Sequence, residues 1–121
     1  MRVTVRITKS FKIALKPLLK RYHSISSDLL KLENTLSEAP RIGTPLGNDV
    51  YKIRMKITSK GKGKSGGARV ITLVESTVIG IAEKISEDEI TVNLITIYDK
   101  SDVSNISDKE LRDLIRNIST E

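Results

Sequence analysis

Residues 51–74 read YKIRMKITSKGKGKSGGARVITLV, and this stretch decides the predicted fold. Hydrophobic and basic residues alternate over 51–57, which is typical of a strand with one buried and one exposed face. The exposed face presents a row of cations that are spaced by two residue rises, roughly 6.5 Å. These cations are Lys52, Arg54 and Lys56. A glycine-rich basic loop, 59–67, and a more apolar second strand, 68–74, follow.

The charge of this stretch admits two interpretations, because it contains seven basic residues and no acidic one. A row of fixed cations beside a cationic loop suits the backbone of a polyanion, which indicates a nucleic-acid-binding surface. The alternative is a solvated sheet face, or an edge strand whose lysines discourage pairing with other strands. Ordinary soluble surfaces mix positive and negative charge, so the absence of acidic residues favours nucleic acid.

The composition limits the class of protein. With 121 residues and 38% hydrophobic content we expect one domain over 1–121, and the 3% aromatic content predicts an aliphatic core. The chain has no cysteine and one histidine, which excludes thiol catalysis and argues against a zinc site, so we predict no metal and no cofactor. No run is apolar enough to span a membrane and no signal-peptide pattern is present, so we expect a cytoplasmic protein.

The net charge of +6 is unevenly distributed along the chain. Residues 1–27 contain seven basic residues and no acidic one, and residues 50–74 show the same pattern. The remaining segments contain seven basic and fifteen acidic residues. This segregation predicts a two-faced molecule with a basic side for an acidic partner.

Two helices are predicted between a first strand and the basic strand. Residues 2–7 alternate as a strand does. Hydrophobic residues follow at helical spacing over 11–22, where Pro17 either kinks the helix or marks the start of its regular part. Serines open a second helix at 24–39, and together the two form a helical hairpin. A turn-rich link, 41–48, then leads to the basic strand.

The second half of the chain predicts one further strand and one further helix. Residues 90–98 are apolar and β-branched, as in an interior strand, whereas 76–89 fit either an extended hairpin or a loose excursion. Residues 107–110, SDKE, form a capping box before an amphipathic helix. The predicted order is β-α-α-β-β-β-α. We therefore expect an α+β fold, with a small antiparallel sheet and with the helical hairpin and C-terminal helix packed on one face.

In combination, these segments resemble the RelE/ParE superfamily of toxins from type II toxin–antitoxin modules, in particular the HigB-like RelE toxins. The segments that carry the resemblance are RIGTPLGN at 41–48, YKIRMKI at 51–57, KGKGKSGGARVIT at 60–72, TIYDKSDVSNIS at 96–107 and the final helix. The resemblance covers nearly the whole chain and implies a small twisted antiparallel sheet flanked by helices.

The resemblance also implies an endoribonuclease. Family members of the RelE and HigB kind cut messenger RNA in the ribosomal A site without a metal, through attack of a ribose 2′-hydroxyl on the adjacent phosphate. The products are a cyclic phosphate and a free 5′-hydroxyl. This chemistry requires a group that removes a proton, cations that stabilise the phosphorane, and a group that protonates the leaving oxygen.

The family positions map onto a small set of residues. Lys52 and Arg54 match the cationic pair of the family, which holds phosphate, and a lysine crowded by other cations can also transfer a proton. Arg69 matches an arginine that clamps the scissile phosphate. Tyr98 stacks on a base or orients it, and Lys100 stabilises charge, protonates the leaving group or is an ordinary turn lysine. The residues assigned to RNA binding are Lys56, Lys60, Lys62 and Lys64.

Several of these residues have a structural alternative. Tyr98 can cap the core where its strand ends, and Arg69 can pair with Glu75 or Asp99. His23 lies at the corner between the helices, so we interpret it as structural or solvated. The identity of the general base stays open, and Asp99 is the nearest carboxylate in the sequence.

The implied partners are a cognate antitoxin, messenger RNA and the ribosome, with no membrane. We expect a monomeric free toxin that forms higher-order complexes with the antitoxin. One alternative function is a ParE-like toxin that poisons DNA gyrase. Another is a catalytically inactive relative that only binds RNA.

Overall fold

The computed structural model describes residues 2–60, 67–81, 84–103 and 105–118, and within these ranges the chain forms one five-stranded sheet and three helices. The strands are β1 (Arg2–Ile7), β2 (Thr44–Gly47), β3 (Val50–Met55), β4 (Ala68–Ile81) and β5 (Lys84–Asp99). The helices are α1 (Lys9–Arg21), α2 (Ile25–Glu38) and α3 (Asp108–Ile118), and Thr58–Lys60 forms a 3₁₀ turn. The predicted α+β class is confirmed.

The strands lie in the order β1-β5-β4-β3-β2. β3, β4 and β5 form the predicted antiparallel meander. β1 pairs in parallel with β5, with Arg2 opposite Glu89. Parallel neighbours cannot be joined by a tight turn, and here the connection between the two strands contains α1, α2 and the other three strands. The sheet is therefore mostly antiparallel, with one parallel pair.

The prediction that 41–48 is only a turn-rich link is wrong, because Thr44–Gly47 forms β2 and pairs antiparallel with β3. Asn48 and Asp49 connect the two strands with φ values of 53° and 63°. Tight hairpin turns require positive φ at both central residues, and asparagine and aspartate tolerate this conformation. All four residues of β2 are exposed, so no hydrophobic alternation marks the strand in the sequence.

The helices cover both faces of the sheet, which corrects the prediction that they pack on one face. α1 and α2 pack on the face of β3 that carries Ile53 and Met55. α3 packs on the opposite face, against Val50 and Ile71. The apolar stripe of α3 predicts that the helix is partly buried, but it does not specify which face of the sheet it covers. The polar face of β3 therefore lies on the same side of the sheet as α3.

Of the predicted helix caps, the serine that begins α2, Ser24, makes no side-chain capping hydrogen bond, whereas α1 has a cap that was not predicted. The Thr8 hydroxyl accepts a hydrogen bond from the Phe11 N–H at 3.2 Å, and α1 then continues through Pro17 to its end. The serine half of the predicted capping box before α3 is confirmed, since the Glu110 N–H donates to the Ser107 hydroxyl at 3.1 Å, and that hydroxyl donates to the Glu110 carboxylate at 3.2 Å. None of the described helices is long and apolar enough to cross a membrane.

β4 and β5 form a long hairpin, which resolves the open question over 76–89 in favour of an extended hairpin. The strands contain 14 and 16 residues and pair from Ala68 opposite Asp99 to Ile81 opposite Lys84. β3 accompanies β4 only as far as Leu73, and β1 accompanies β5 only over 89–94. Within the described residues, the distal part of the hairpin is therefore a two-stranded arm.

Candidate nucleic-acid interface

Three predicted site residues form a row across neighbouring strands. Arg54 of β3 lies opposite Arg69 of β4, and Arg69 lies opposite Tyr98 of β5. Directly opposed residues of antiparallel strands point to the same face of a sheet. With strands about 4.8 Å apart, the Cα atoms of Arg54 and Tyr98 are about 10 Å apart.

Further predicted cations flank this row. Lys52 lies two positions earlier on β3. Beyond the strand ends, the Lys100 N–H donates to the Gly67 carbonyl at 3.0 Å, and Lys56 lies on the other side of Gly67. Gly67 has a φ of 82°, and a Cβ there would approach the Met55 carbonyl oxygen within 2.8 Å, so glycine permits this close approach. We define the candidate face as Lys52, Arg54, Lys56, Arg69, Tyr98 and Lys100.

The candidate face is open at β3 and more covered on β4 and β5, where Arg69 is buried and Tyr98 is half-buried. Arg54 and Lys56 are exposed. Lys52 is half-buried, with its Nζ 3.5 Å from Oδ1 of Asn105 in the segment that leads to α3. Arg69 is only 8% exposed, and its guanidinium donates to the carbonyl of the preceding residue at 3.2 Å. A polyanion would therefore meet the β3 side of this face first.

Tyr98 lies at the covered end of the row. Its ring packs against the apolar cluster that includes Val50 and Ile71. Its hydroxyl is buried and makes no well-formed hydrogen bond among the described residues. The Ile106 backbone nearby lowers the pKa of this hydroxyl slightly. Burial raises the pKa of Tyr98, and the positive charge of Arg69 opposes that rise in part. The hydroxyl therefore keeps its proton at neutral pH, and the base-binding role of Tyr98 stays a prediction.

A cleft of about 500 Å³ opens between α1, the end of β5 and α3. Tyr98 lines it together with apolar residues such as Ile13 and Leu114. Two carboxylates of α3, Glu110 and Asp113, also line it, and they were not predicted to be neighbours of Tyr98. Their i,i+3 spacing places them on one side of the helix, but nothing in the sequence shows that α3 packs beside Tyr98.

Asp99 lies on the opposite side of β5 from Tyr98, in a buried polar cluster. Its carboxylate accepts hydrogen bonds from the Tyr22 hydroxyl at 2.5 Å, the Ser101 hydroxyl at 2.7 Å and the Lys60 ammonium at 3.0 Å, and Arg21 lies 3.4 Å away. Burial alone would raise the pKa of Asp99, but these hydrogen bonds hold it far below its ordinary value. Asp99 is therefore too weak a base to activate a ribose hydroxyl.

Two buried carboxylates hold the chain where it enters the glycine-rich loop. Lys60, a predicted RNA contact, pairs with Asp99, and its side chain is 23% exposed. The Thr58 N–H and hydroxyl donate to Asp28 at 3.0 and 2.6 Å. Burial would raise the pKa of Asp28, but hydrogen bonds from Thr58 and Ser24 lower it. The predicted RNA contacts that lie outside the described residues are Lys62 and Lys64.

The remaining candidates lie away from the candidate face or have other partners. Glu75 accepts a hydrogen bond from Asn93 at 2.6 Å, and His23 is exposed at the corner between α1 and α2. Among the described residues, no three histidine, aspartate or glutamate side chains converge in a way that could hold a metal. The metal-free site stays a prediction.

A comparison with solved structures finds similarity to the E. coli toxin RelE, in a variant in which two arginines are replaced by alanine, in the free state. The two chains are 21% identical, the similarity covers 98% of this chain and 99% of that chain, and the TM-score is 0.54. The chain thus has a RelE-like fold. No protein-family model matches the chain, and a comparison with curated proteins finds no match.

Proposed function

We propose that this chain is the toxin of a toxin–antitoxin module and that it cleaves messenger RNA in the ribosomal A site without a metal or cofactor. The observation that carries the proposal is the register of the sheet, which aligns Arg54, Arg69 and Tyr98 in one row. The RelE-like fold supports it, since the solved structure with this fold is that of a toxin. A toxin with this activity would act in the cytoplasm, where messages are translated.

The two arginines of the row bind the scissile phosphate. Attack by the ribose 2′-oxygen forms a new P–O bond and adds negative charge to the phosphate as the bond to the 5′-oxygen breaks. Guanidinium groups bind two phosphate oxygens at once and stay charged at any physiological pH. Arg54 is exposed and holds the incoming phosphate, and the largely buried Arg69 stabilises the charge that develops in the transition state.

Proton transfer falls to the other members of the candidate face. Arginine does not release its proton in proteins, so Lys52 is the group on β3 that is assigned to take the proton from the 2′-hydroxyl. Lys100 gives a proton to the departing 5′-oxygen. Tyr98 keeps its proton because burial raises its pKa, so it acts as a hydrogen-bond donor or a stacking surface for a base.

Access to this face depends on the segment that leads to α3. Asn105 lies against Lys52, and the backbone of Ile106 lies near the Tyr98 hydroxyl. RNA reaches the covered end of the row only after this segment moves aside. An antitoxin that binds over the candidate face would block RNA, which makes a cognate antitoxin the partner of the proposed monomeric toxin.

Mapping of message 5′ ends in induced cells tests the proposal. We expect Arg69→Ala to abolish growth arrest and to reduce cleavage by roughly 100-fold or more, as for the loss of one transition-state donor. Arg54→Ala should act in the same direction, and its exposed side chain makes misfolding a poor explanation. Arg112→Ala, on the exposed side of α3, is the matched control and should remain toxic.

The pattern of ends separates the alternatives. Cuts in phase with codons support the proposal, DNA damage without cuts indicates a gyrase poison, and full toxicity of folded Arg54→Ala and Arg69→Ala overturns the site assignment. A second candidate, RNA binding without cleavage, is favoured by one observation. Within the described residues, the row itself contains no histidine or carboxylate to serve as general base. Binding of RNA with no growth effect would support this candidate.

A further inference from the structure

α1 carries a second basic surface, on the side of the sheet opposite the candidate face. Its lysines recur every three or four residues and so lie along one side of the helix. We define the lysine stripe as Lys9, Lys12, Lys16 and Lys20, all of which are exposed. The opposite side of the helix packs into the core through Phe11 and Leu18. The stripe therefore faces away from the protein.

The stability of α1 accounts for Lys20, which lies in the last turn where the helix macrodipole favours cations, but not for the other three lysines of the stripe. The positive end of the helix macrodipole disfavours cations in the first turn, where Lys9 lies and where no acidic residue is present. Like charges at i,i+4 also destabilise a helix, as Lys12 with Lys16 and Lys16 with Lys20 do. Arg21, by contrast, pairs with Asp102 at 2.5 Å.

Three of the four lysines of the stripe have no acidic counterpart in the described part of the chain. Within the described ranges, Lys12, Lys16 and Lys20 make no ion pair, although the chain has fifteen acidic residues. α3 shows the opposite arrangement, with Asp108 and Glu110 in its first turn. A surface that is unfavourable for the isolated helix and uncompensated within the fold is explained by a negatively charged partner.

We propose that the lysine stripe binds the sugar-phosphate backbone of structured RNA, separately from the candidate face. With a rise of 1.5 Å per residue, the stripe extends over about 16 Å, with charges about 4.5–6 Å apart. A dense, regular polyanion such as a nucleic-acid duplex matches such a row. The proposal rests on the proposed function in one respect, which is that the structured RNA is ribosomal RNA. A ribosome presents structured RNA on one side of a bound protein and message on the other.

The chemistry of the stripe favours RNA over two other partners. Protein–protein interfaces are depleted in lysine at their centre, and the stripe consists of lysine alone. A helix that binds a membrane surface inserts its apolar face into the lipid, but that face of α1 is buried in the core. The exposed Ile13 and Leu19 lie at the margins of the stripe and are too few to anchor a helix in lipid.

Binding to a fluorescent RNA duplex of about 16 base pairs, followed by anisotropy, tests the proposal. The variant replaces Lys12, Lys16 and Lys20 by glutamine. Each lost phosphate contact lowers the dependence of log affinity on log salt by roughly one, so we expect the slope to fall by about 3. At about 100 mM salt the affinity should fall roughly tenfold or more.

The matched control removes three positive charges elsewhere, through Arg2→Gln, Lys109→Gln and Arg112→Gln. An equal loss of slope in both triple variants overturns the proposal, because it would show that only net charge matters. An unchanged slope in the stripe variant overturns it as well. So does a stripe variant that retains RNA binding but loses binding to vesicles of anionic phospholipid, which would assign the stripe to membranes.

The duplex experiment does not depend on cleavage. If Arg54→Ala and Arg69→Ala leave message cleavage intact or no cleavage occurs at all, the proposed function fails while the stripe is still judged by its own salt slope. If cleavage depends on both arginines but the stripe variant binds duplex normally, only the further proposal fails.

Discussion

The two faces of the sheet differ in how extensively they are packed by the helices that cover them. Within the described ranges, the face under α1 and α2 belongs to a cluster of sixteen buried hydrophobic residues, whereas the face under α3 buries three. No residue of α3 is itself fully buried. The first face also adjoins the polar clusters around Asp28 and Asp99, in which hydrogen bonds satisfy the buried charges.

Because of this difference, the face under α1 and α2 contributes most of the stability of the fold, whereas the covering of the other face by α3 is more easily opened. Each fully buried aliphatic or aromatic side chain contributes about 1.5–3 kcal/mol, so the face under α1 and α2 dominates the free energy of unfolding. α3 is attached by half-buried residues such as Leu114, and elements of this kind open locally before the whole fold does. The β5 end of the candidate face, where Tyr98 lies, is thus packed against the part of the molecule that is least costly to move.

The largest expected effect is on the well-packed face. Leu36, a residue of α2, is fully buried, and we expect Leu36→Ala to lower the free energy of unfolding by about 3–4 kcal/mol through lost burial and a cavity. Urea unfolding followed by circular dichroism measures this change. A cost of less than about 1 kcal/mol would contradict the contrast between the two faces.

The second largest effect is expected in the polar cluster around Asp99, which adjoins the same face of the sheet. Asp99→Asn should cost about 2–3 kcal/mol at neutral pH, because it removes the carboxylate that pairs with Lys60 and Arg21. Asp102→Asn, which removes an exposed ion pair with Arg21, should cost less than about 1 kcal/mol. Equal costs for the two variants in urea unfolding would show that the cluster does not stabilise the fold.

The contribution of Asp99 to stability should also depend on pH in a defined direction. Because the folded pKa of Asp99 lies below its unfolded value of about 3.9, its contribution is present above that pH and is lost as the pH falls through the folded pKa. The wild type should therefore lose stability below about pH 4, and Asp99→Asn should lose less over the same range. Parallel curves for the two proteins would rule out Asp99 as the source.

The smallest expected effect lies on the face under α3. Leu114→Ala makes the same chemical change as Leu36→Ala but at a half-buried site, so we expect a cost of about 1 kcal/mol. Native-state hydrogen exchange should accelerate in α3 and stay unchanged in α2. Acceleration throughout the molecule would mean that α3 unfolds together with the sheet, which would remove the proposed route for RNA to reach Arg69.

The sequence predicts those elements whose signals are local. Alternation over 2–7 identifies β1 to the residue, and the capping box at 107–110 identifies the start of α3. Alternation over 51–57 also places Lys52 and Arg54 on one face. β2 gives no such signal, because its four residues are all exposed and include Pro45.

The features of the candidate site that could not be predicted from the sequence depend on contacts between residues far apart in the chain. The row joins Arg54, Arg69 and Tyr98 only through the pairing register of three strands, which no local pattern determines. The cluster around Asp99 brings together Tyr22, which follows α1, Lys60 of the 3₁₀ turn and Ser101, which follows β5. Likewise, Glu110 reaches the cleft beside Tyr98 only because α3 packs on that face.

The parallel pairing of β1 with β5 has a consequence for the order of folding. Arg2 and Glu89 are separated by 87 residues, so β1 gains its neighbour in the sheet only after β5, the last of the five strands, has been synthesised. At typical rates of translation this interval lasts roughly 4–17 s. Long-range pairing of this kind also slows folding after synthesis. A nascent chain therefore passes through a period with β1 unpaired, during which a binding partner that is already present has the first opportunity to engage it.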